Sequence, residues 1–158
     1  MTGFLQTWRE GADFNRDDQG QSLEHTASDL FRKREVEHGD SIYVAHIEDG
    51  RLHLIGRLVV ERLLDQRQAE AKYGRNLWTA SDHAIGRGTP KVLNRLVPHR
   101  VARELAFDAK TGRRHPDGEP VYQTTYLTFE HGDRLRGQTT RTVRRLSDAS
   151  ARALERLL

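Results

Sequence analysis

The chain has 158 residues, 35% hydrophobic and 31% charged, with 26 basic and 23 acidic side chains and a formal net charge of +3. That length suits one domain over residues 1–158 around one core, and the short recurring blocks of Leu, Val, Ile and aromatic residues exclude a disordered chain. The absence of Cys excludes disulfide scaffolds, thiolate zinc sites and cysteine nucleophiles; with no apolar run near ~18 residues and no signal-peptide core at the start, a soluble, cytoplasmic protein without a membrane partner is expected.

In chain order, Gly3-Phe4-Leu5-Gln6-Thr7-Trp8 reads as a strand that ends on an aromatic. Residues 9–20 are polar and rich in Gly, Asn and Asp, and predict an exposed loop. From Ser22, the apolar residues Leu23, Ala27, Leu30 and Phe31 recur at helical spacing, with Ser22 as N-cap and Lys33 and Arg34 near the C-terminal end, which predicts a helix covering the sheet. Two strands follow over residues 39–47 and 52–60, joined by Asp49-Gly50, a pair that favours type I′ hairpins. Residues 61–73 read as a surface helix that Gly74 ends. Residues 76–80 read as a short strand running into a loop over residues 81–90, where Gly86, Gly88 and Pro90 act as breakers.

Further on, Pro98 suits the first position of a short helix with Val101, Ala102 and Leu105 on one face. Residues 110–120 read as a hairpin tip, and residues 121–129 alternate as a strand rich in β-branched and aromatic side chains. His131-Gly132-Asp133 turns the chain into a basic strand over residues 135–146. Ser147 then caps a final helix whose Ala151, Leu154, Leu157 and Leu158 face inward. Strands outnumber helices without regular βαβ alternation, so the class is α+β with a mostly antiparallel, barrel-like sheet. Residues 1–79 carry 11 basic and 14 acidic side chains and residues 80–158 carry 15 and 9. The second half therefore holds the basic surface, and 22 of the 26 cations are Arg, whose planar fork suits phosphate and base edges. A genome rich in G and C yields the same bias without selection.

Three pieces, Phe4 to Trp8, Gly39 to Val44 and Gly56 to Val60, together resemble the EVE domains of the PUA-like superfamily. Those begin with a hydrophobic strand ending in Trp, run through a helix into "GD" plus a strand, and continue with a "GR"-like step. The resemblance is best over the first 60 residues and implies a small PUA-like barrel that holds a modified base in an aromatic-lined pocket, with no chemistry and no cofactor. It also implies kinship with specificity modules of modification-dependent restriction, so that an effector nuclease partner in bacterial defence would do any cleavage.

Within that frame, Trp8 and Trp78 each close a predicted strand before a polar, glycine-bearing loop. Their indoles either stack on an extruded base or plug the barrel ends with Nε1 bonded to a loop carbonyl. Ser81, Asp82 and His83 supply a hydroxyl, a carboxylate and an imidazole that can read a base edge; the alternative is a turn in which Ser81 or Asp82 caps local amides. Their adjacency does not make a catalytic triad, because neighbours on extended chain point to opposite sides. Arg87 and Thr89 are candidate phosphate or base contacts, Asn15 and Arg16 the opposite lip. Tyr43 faces pocket or core, and register alone leaves that open. Arg136, Arg141, Arg144 and Arg145 either track phosphates, with Arg141 as the candidate contact, or charge a solvated edge; their parity forbids all four on one face of a regular strand.

His46 and His53 straddle the hairpin, but with no His-x-x-x-His pair and no third ligand recognised, no metal site is expected. Gly86-Arg87-Gly88 lacks the context of a nucleotide-binding loop. The expected function is a non-enzymatic nucleic-acid reader. Its rivals are a hydrolase of modified nucleobases like the related ASCH domains, with Asp82, His83 and Tyr43 as acid–base groups, and a protein-interaction module with a basic face.

Overall fold

The chain begins with β1 (Gly3–Trp8), β2 (His25–Ser28) and the long hairpin of β3 (Ser41–Glu48) and β4 (Arg51–Leu64). Helix α1 (Gln66–Tyr73), β5 (Asp82–Gly88), β6 (Arg95–Leu96) and α2 (His99–Glu104) follow. A second hairpin of β7 (Ala106–Arg114) and β8 (Pro120–Tyr126), the short β9 (Phe129–Glu130), β10 (Arg134–Leu135) and β11 (Val143–Arg145), and α3 (Asp148–Glu155) complete it. This computed structural model describes residues 1–8, 20–92, 95–136 and 142–158.

The main sheet has the order β11-β1-β3-β4-β5-β2, with β6 also paired to β4. Its pairs are antiparallel except β1 with β3, where Trp8 lies beside His46. The β3–β4 turn has Asp49 at φ 50° and Gly50 at φ 73°, the two positive values a type I′ turn demands. On β4 the register slips at Ile55 against β3 and at Glu61 against β5. Each extra residue bends the strand and increases its twist, and the sheet curls into a half-barrel.

Alternation sorts the side chains of the sheet onto two faces, each with its own large core. On one face Leu5, Tyr43, Ala45 and Leu54 pack with Ala102, Leu105, Phe107 and Leu154, so α2, α3 and β7 cover this side. On the other, Phe4, Ile42, Val44, Ile55, Leu58 and Ala84 close around Leu23 and Phe31. The curl carries β1 and β2, which are four strands apart in the sheet order, to within side-chain reach. Gln6 Nε2 donates to the Ala27 carbonyl (2.7 Å), and Trp8 Nε1 donates to Thr26 Oγ1 (3.0 Å). This side-chain seam joins β1, the strand next to one edge of the half-barrel, to β2 at the other.

The α+β class, the central hairpin and the Ser147 cap, whose Oγ accepts from the Ser150 amide, agree with the sequence reading. Several local expectations do not. The helix expected from Ser22 is β2 followed by a turn: β2 pairs antiparallel with β5, and the turn closes with a single i→i−4 bond, from the Arg34 amide to the Leu30 carbonyl (2.8 Å), among bonds of other spacing. Leu23 and Phe31 are buried because strand and turn bring them to the same core, which imitates helical spacing. The loop expected over residues 81–90 contains β5. Its glycines are not breakers but close approaches: a Cβ on Gly88 would sit 1.8 Å from the Leu23 carbonyl oxygen, and one on Gly86 equally close to that of Val59.

Residues 76–80, read as a strand, are irregular. Helix α1 starts at Gln66 rather than 61, where Asp65 forms a capping box with Gln68. The strand read over residues 121–129 breaks at Leu127, which turns into the core. The basic return strand is divided, since β10 pairs with β9 whereas β11 pairs with β1.

Candidate functional site

A cleft of about 960 Å³ opens at the seam. Its walls come from the end of β1, from β2 with the residues after it, from residues 76–80, and from Lys91 and Thr142. Both tryptophans line it.

Trp8 is half-buried and its polar edge is fixed. Thr26 Oγ1 accepts from its Nε1 and donates onward to Gln6 Oε1 (2.6 Å), while Gln6 Nε2 is held by the Ala27 carbonyl. Gln6 and Thr26 are buried, so this chain satisfies groups that would otherwise be costly to bury. Trp78 is different: it is 56% exposed on the irregular segment that follows α1. Two bonds anchor the end of that segment, from the Ala80 amide to Gln66 Oε1 (3.0 Å) and from the Ser81 amide to Asp29 Oδ1 (2.7 Å).

Behind one wall lies a pair of imidazoles bonded edge to edge. His25 and His83 have ring centroids 5.1 Å apart and planes 10° from parallel. His25 Nε2 is 2.8 Å from His83 Nδ1, and His83 Nε2 is 2.6 Å from Gln66 Oε1. Because that amide oxygen also receives the Ala80 N–H, it is an acceptor, and the protons along the relay are assigned by it. His83 donates from Nε2 and accepts at Nδ1 from His25 Nε2–H. His25, on the cleft wall, is left with Nδ1 as an acceptor. Burial, then His83 and Lys91, push His25 down to about 4, and burial lowers His83 as well. Both rings are neutral at pH 7. Lys91 is the one Lys or Arg lining the cleft among the described residues.

The other residues singled out from sequence lie elsewhere. Asp82 is buried against the turn after β2, accepting from the Arg32 amide (3.0 Å) and from its Nη1 (2.5 Å). His83, its neighbour on β5, points the other way, toward α1, as strand alternation requires. Ser81 is exposed beside the cleft. Arg87 projects into solvent 3.4 Å from Glu61. Thr89 is structural, its hydroxyl accepting from the Arg57 amide (3.0 Å). Tyr43 shares register and face with Leu5, so it points into the helix-covered core, opposite Trp8. There its hydroxyl donates to Glu155 Oε2 (2.9 Å) and is pushed up to about 12 by burial and by that carboxylate. Arg144 lies 3.8 Å over the Phe107 ring and Arg145 4.8 Å over the Tyr122 ring, so both pack the second hairpin. Asn15, Arg16 and Arg141 lie outside the described residues.

Comparison with protein-family models, with curated proteins and with solved structures finds no match. The site is read from its own chemistry. The residues that sequence reasoning missed are Gln6, His25, Thr26, Gln66 and Lys91. Gln6 had a signal, since it is two positions before Trp8 and shares its face of β1. His25 and Thr26 had none, because the apolar spacing of their segment is helical.

Proposed function

We propose that this chain is a non-enzymatic nucleic-acid reader of PUA-like, EVE type, which accepts a flipped, modified base in the cleft between Trp8 and Trp78. The observation that carries the reading is the pairing, in one cleft, of a fixed indole with an exposed one above a polar, hydrogen-bonded floor. Its volume falls in the range of small-ligand pockets. An indole face stacks on any base, contributing about 1–3 kcal/mol, an acceptor at His25 Nδ1 can discriminate base edges, and Lys91 on the cleft wall supplies a cation for a phosphate beside the base. Arginines outside the cleft hold flanking phosphates, and cleavage is left to a partner nuclease.

Two of the three groups named for a hydrolase do not support that rival. Asp82 is committed to Arg32, and Tyr43 lies on the far face of the sheet. A fluorescence titration of Trp78→Ala against oligonucleotides carrying a panel of modified bases tests the proposal. Stacking predicts a loss of affinity of about 5- to 150-fold. Unchanged affinity, or no binding by the parent chain at low salt, overturns it.

A further inference from the structure

The β3–β4 hairpin carries a second group of side chains, one strand away from the cleft. His46 and His53 are directly opposite each other across the ladder, with ring centroids 5.3 Å apart. Glu48 is two residues beyond His46 and so projects from the same face of β3. One ligand atom from each of the three lies within 4.8 Å of the others.

Two further features suit this group to a cation. His53 Nδ1 is 3.1 Å from the Arg51 carbonyl oxygen; a carbonyl only accepts, so Nδ1 carries the proton and the Nε2 lone pair is available. Orientation of an imidazole through its other nitrogen by a backbone carbonyl is the usual support for a metal-binding His. The cation opposite Glu48 in the register, Arg51, turns to Asp133 at 3.2 Å and leaves the carboxylate to the histidines.

We propose that His46, Glu48 and His53 bind a divalent transition-metal ion. Two imidazoles and one carboxylate suit Zn²⁺, Co²⁺, Ni²⁺ or Cu²⁺ rather than Mg²⁺ or Ca²⁺, which prefer all-oxygen shells. A tetrahedral site with bonds of about 2.1 Å has edges of about 3.4 Å, so the ligands close by roughly 1 Å on binding. Glu48 is exposed and His53 half-buried, which gives their side chains room to do so. Three protein ligands leave a position open to water or to a ligand atom. The hairpin turn supplies all three from eight residues, and the ladder holds the backbone they project from.

The test is a Co²⁺ titration of the tag-free chain followed by visible d–d absorption, with Zn²⁺ as competitor. One Co²⁺ should bind per chain and be displaced by Zn²⁺. His53→Ala and Glu48→Gln should each weaken binding about tenfold or more with unchanged far-ultraviolet circular dichroism. Since Trp8 is the neighbour of His46 in the β1–β3 register, Co²⁺ should also quench the emission of a Trp78→Phe variant. Absence of a Co²⁺ band, or equal binding by both variants and the parent, overturns the proposal. Should His53→Ala unfold, Glu48→Gln at an exposed side chain gives the same reading.

Discussion

Thr26 is the residue on which the cleft floor turns, because its single hydroxyl accepts from Trp8 and donates to Gln6. Thr26→Val preserves shape and β-branching but leaves an indole N–H and an amide oxygen without that partner. Each such group costs about 1–3 kcal/mol when fully buried, and Trp8 is only half-buried, so urea denaturation should show a loss of roughly 2–4 kcal/mol. His25 adds a pH dependence of known sign. Its folded value of about 4 lies below its ordinary 6.5, so between those values the unfolded chain binds more protons and stability falls as pH falls. The contribution is complete above pH 6.5 and gone below 4. His83 and His46, also lowered by burial, act in the same direction. Urea midpoints measured from pH 7.5 down to 4.5 should decline, and His25→Gln should flatten part of that decline.

At the scale of elements, what was legible in the sequence is what is decided locally. Asp49-Gly50 dictates its turn through two positive φ values, and Ser147 caps α3 through a bond three residues away. Alternation in β1 and β3 likewise appears in the chain itself. β2 is different, since it takes its conformation from β5, a partner far away in sequence, as Thr26 opposite Ala84 illustrates. The same non-locality hid half of the site. Both tryptophans drew notice by residue type, whereas His25 and Thr26 acquire meaning only once β2 is a strand facing β1 across the seam. Gly88 gives the test at this scale. A Cβ there meets the backbone oxygens of Leu23 at 1.8 Å and Arg57 at 2.8 Å, and neither is a side chain that can rotate away. Gly88→Ala should therefore cost more than the about 1–3 kcal/mol of ordinary overpacking, and give a chain that fails thermal and urea unfolding tests of cooperativity. Gly20→Ala, at an open position with φ +81°, should show only the smaller strain of that backbone conformation.

For the molecule as a whole, the two faces of the curled sheet divide the work. The helix-covered face is closed by α3, where Glu155 joins Tyr43 on β3 and Arg57 on β4 (2.6 Å). The seam side keeps an opening between β1 and β2, and the imidazole–carboxylate cluster stands beside it. If the cleft is a nucleic-acid site, its charge and its stacking are separable. Each phosphate neutralised adds about 0.9 to the slope of log affinity against log salt for duplex DNA. Lys91→Ala should lower that slope by up to about one, whereas Trp78→Ala should weaken binding and leave the slope as it was; fluorescence anisotropy at four or five salt concentrations distinguishes the two.

The placement of β1 between β3 and β11 has a consequence for biosynthesis. Its outer edge receives its ladder from Val143, Arg144 and Arg145, opposite Gln6, Leu5 and Phe4, so until those residues leave the ribosome β1 is paired with β3 alone. A strand made long before its outer partner is thus secured late, and premature termination before residue 143 would release a product whose β1 is paired on one side only.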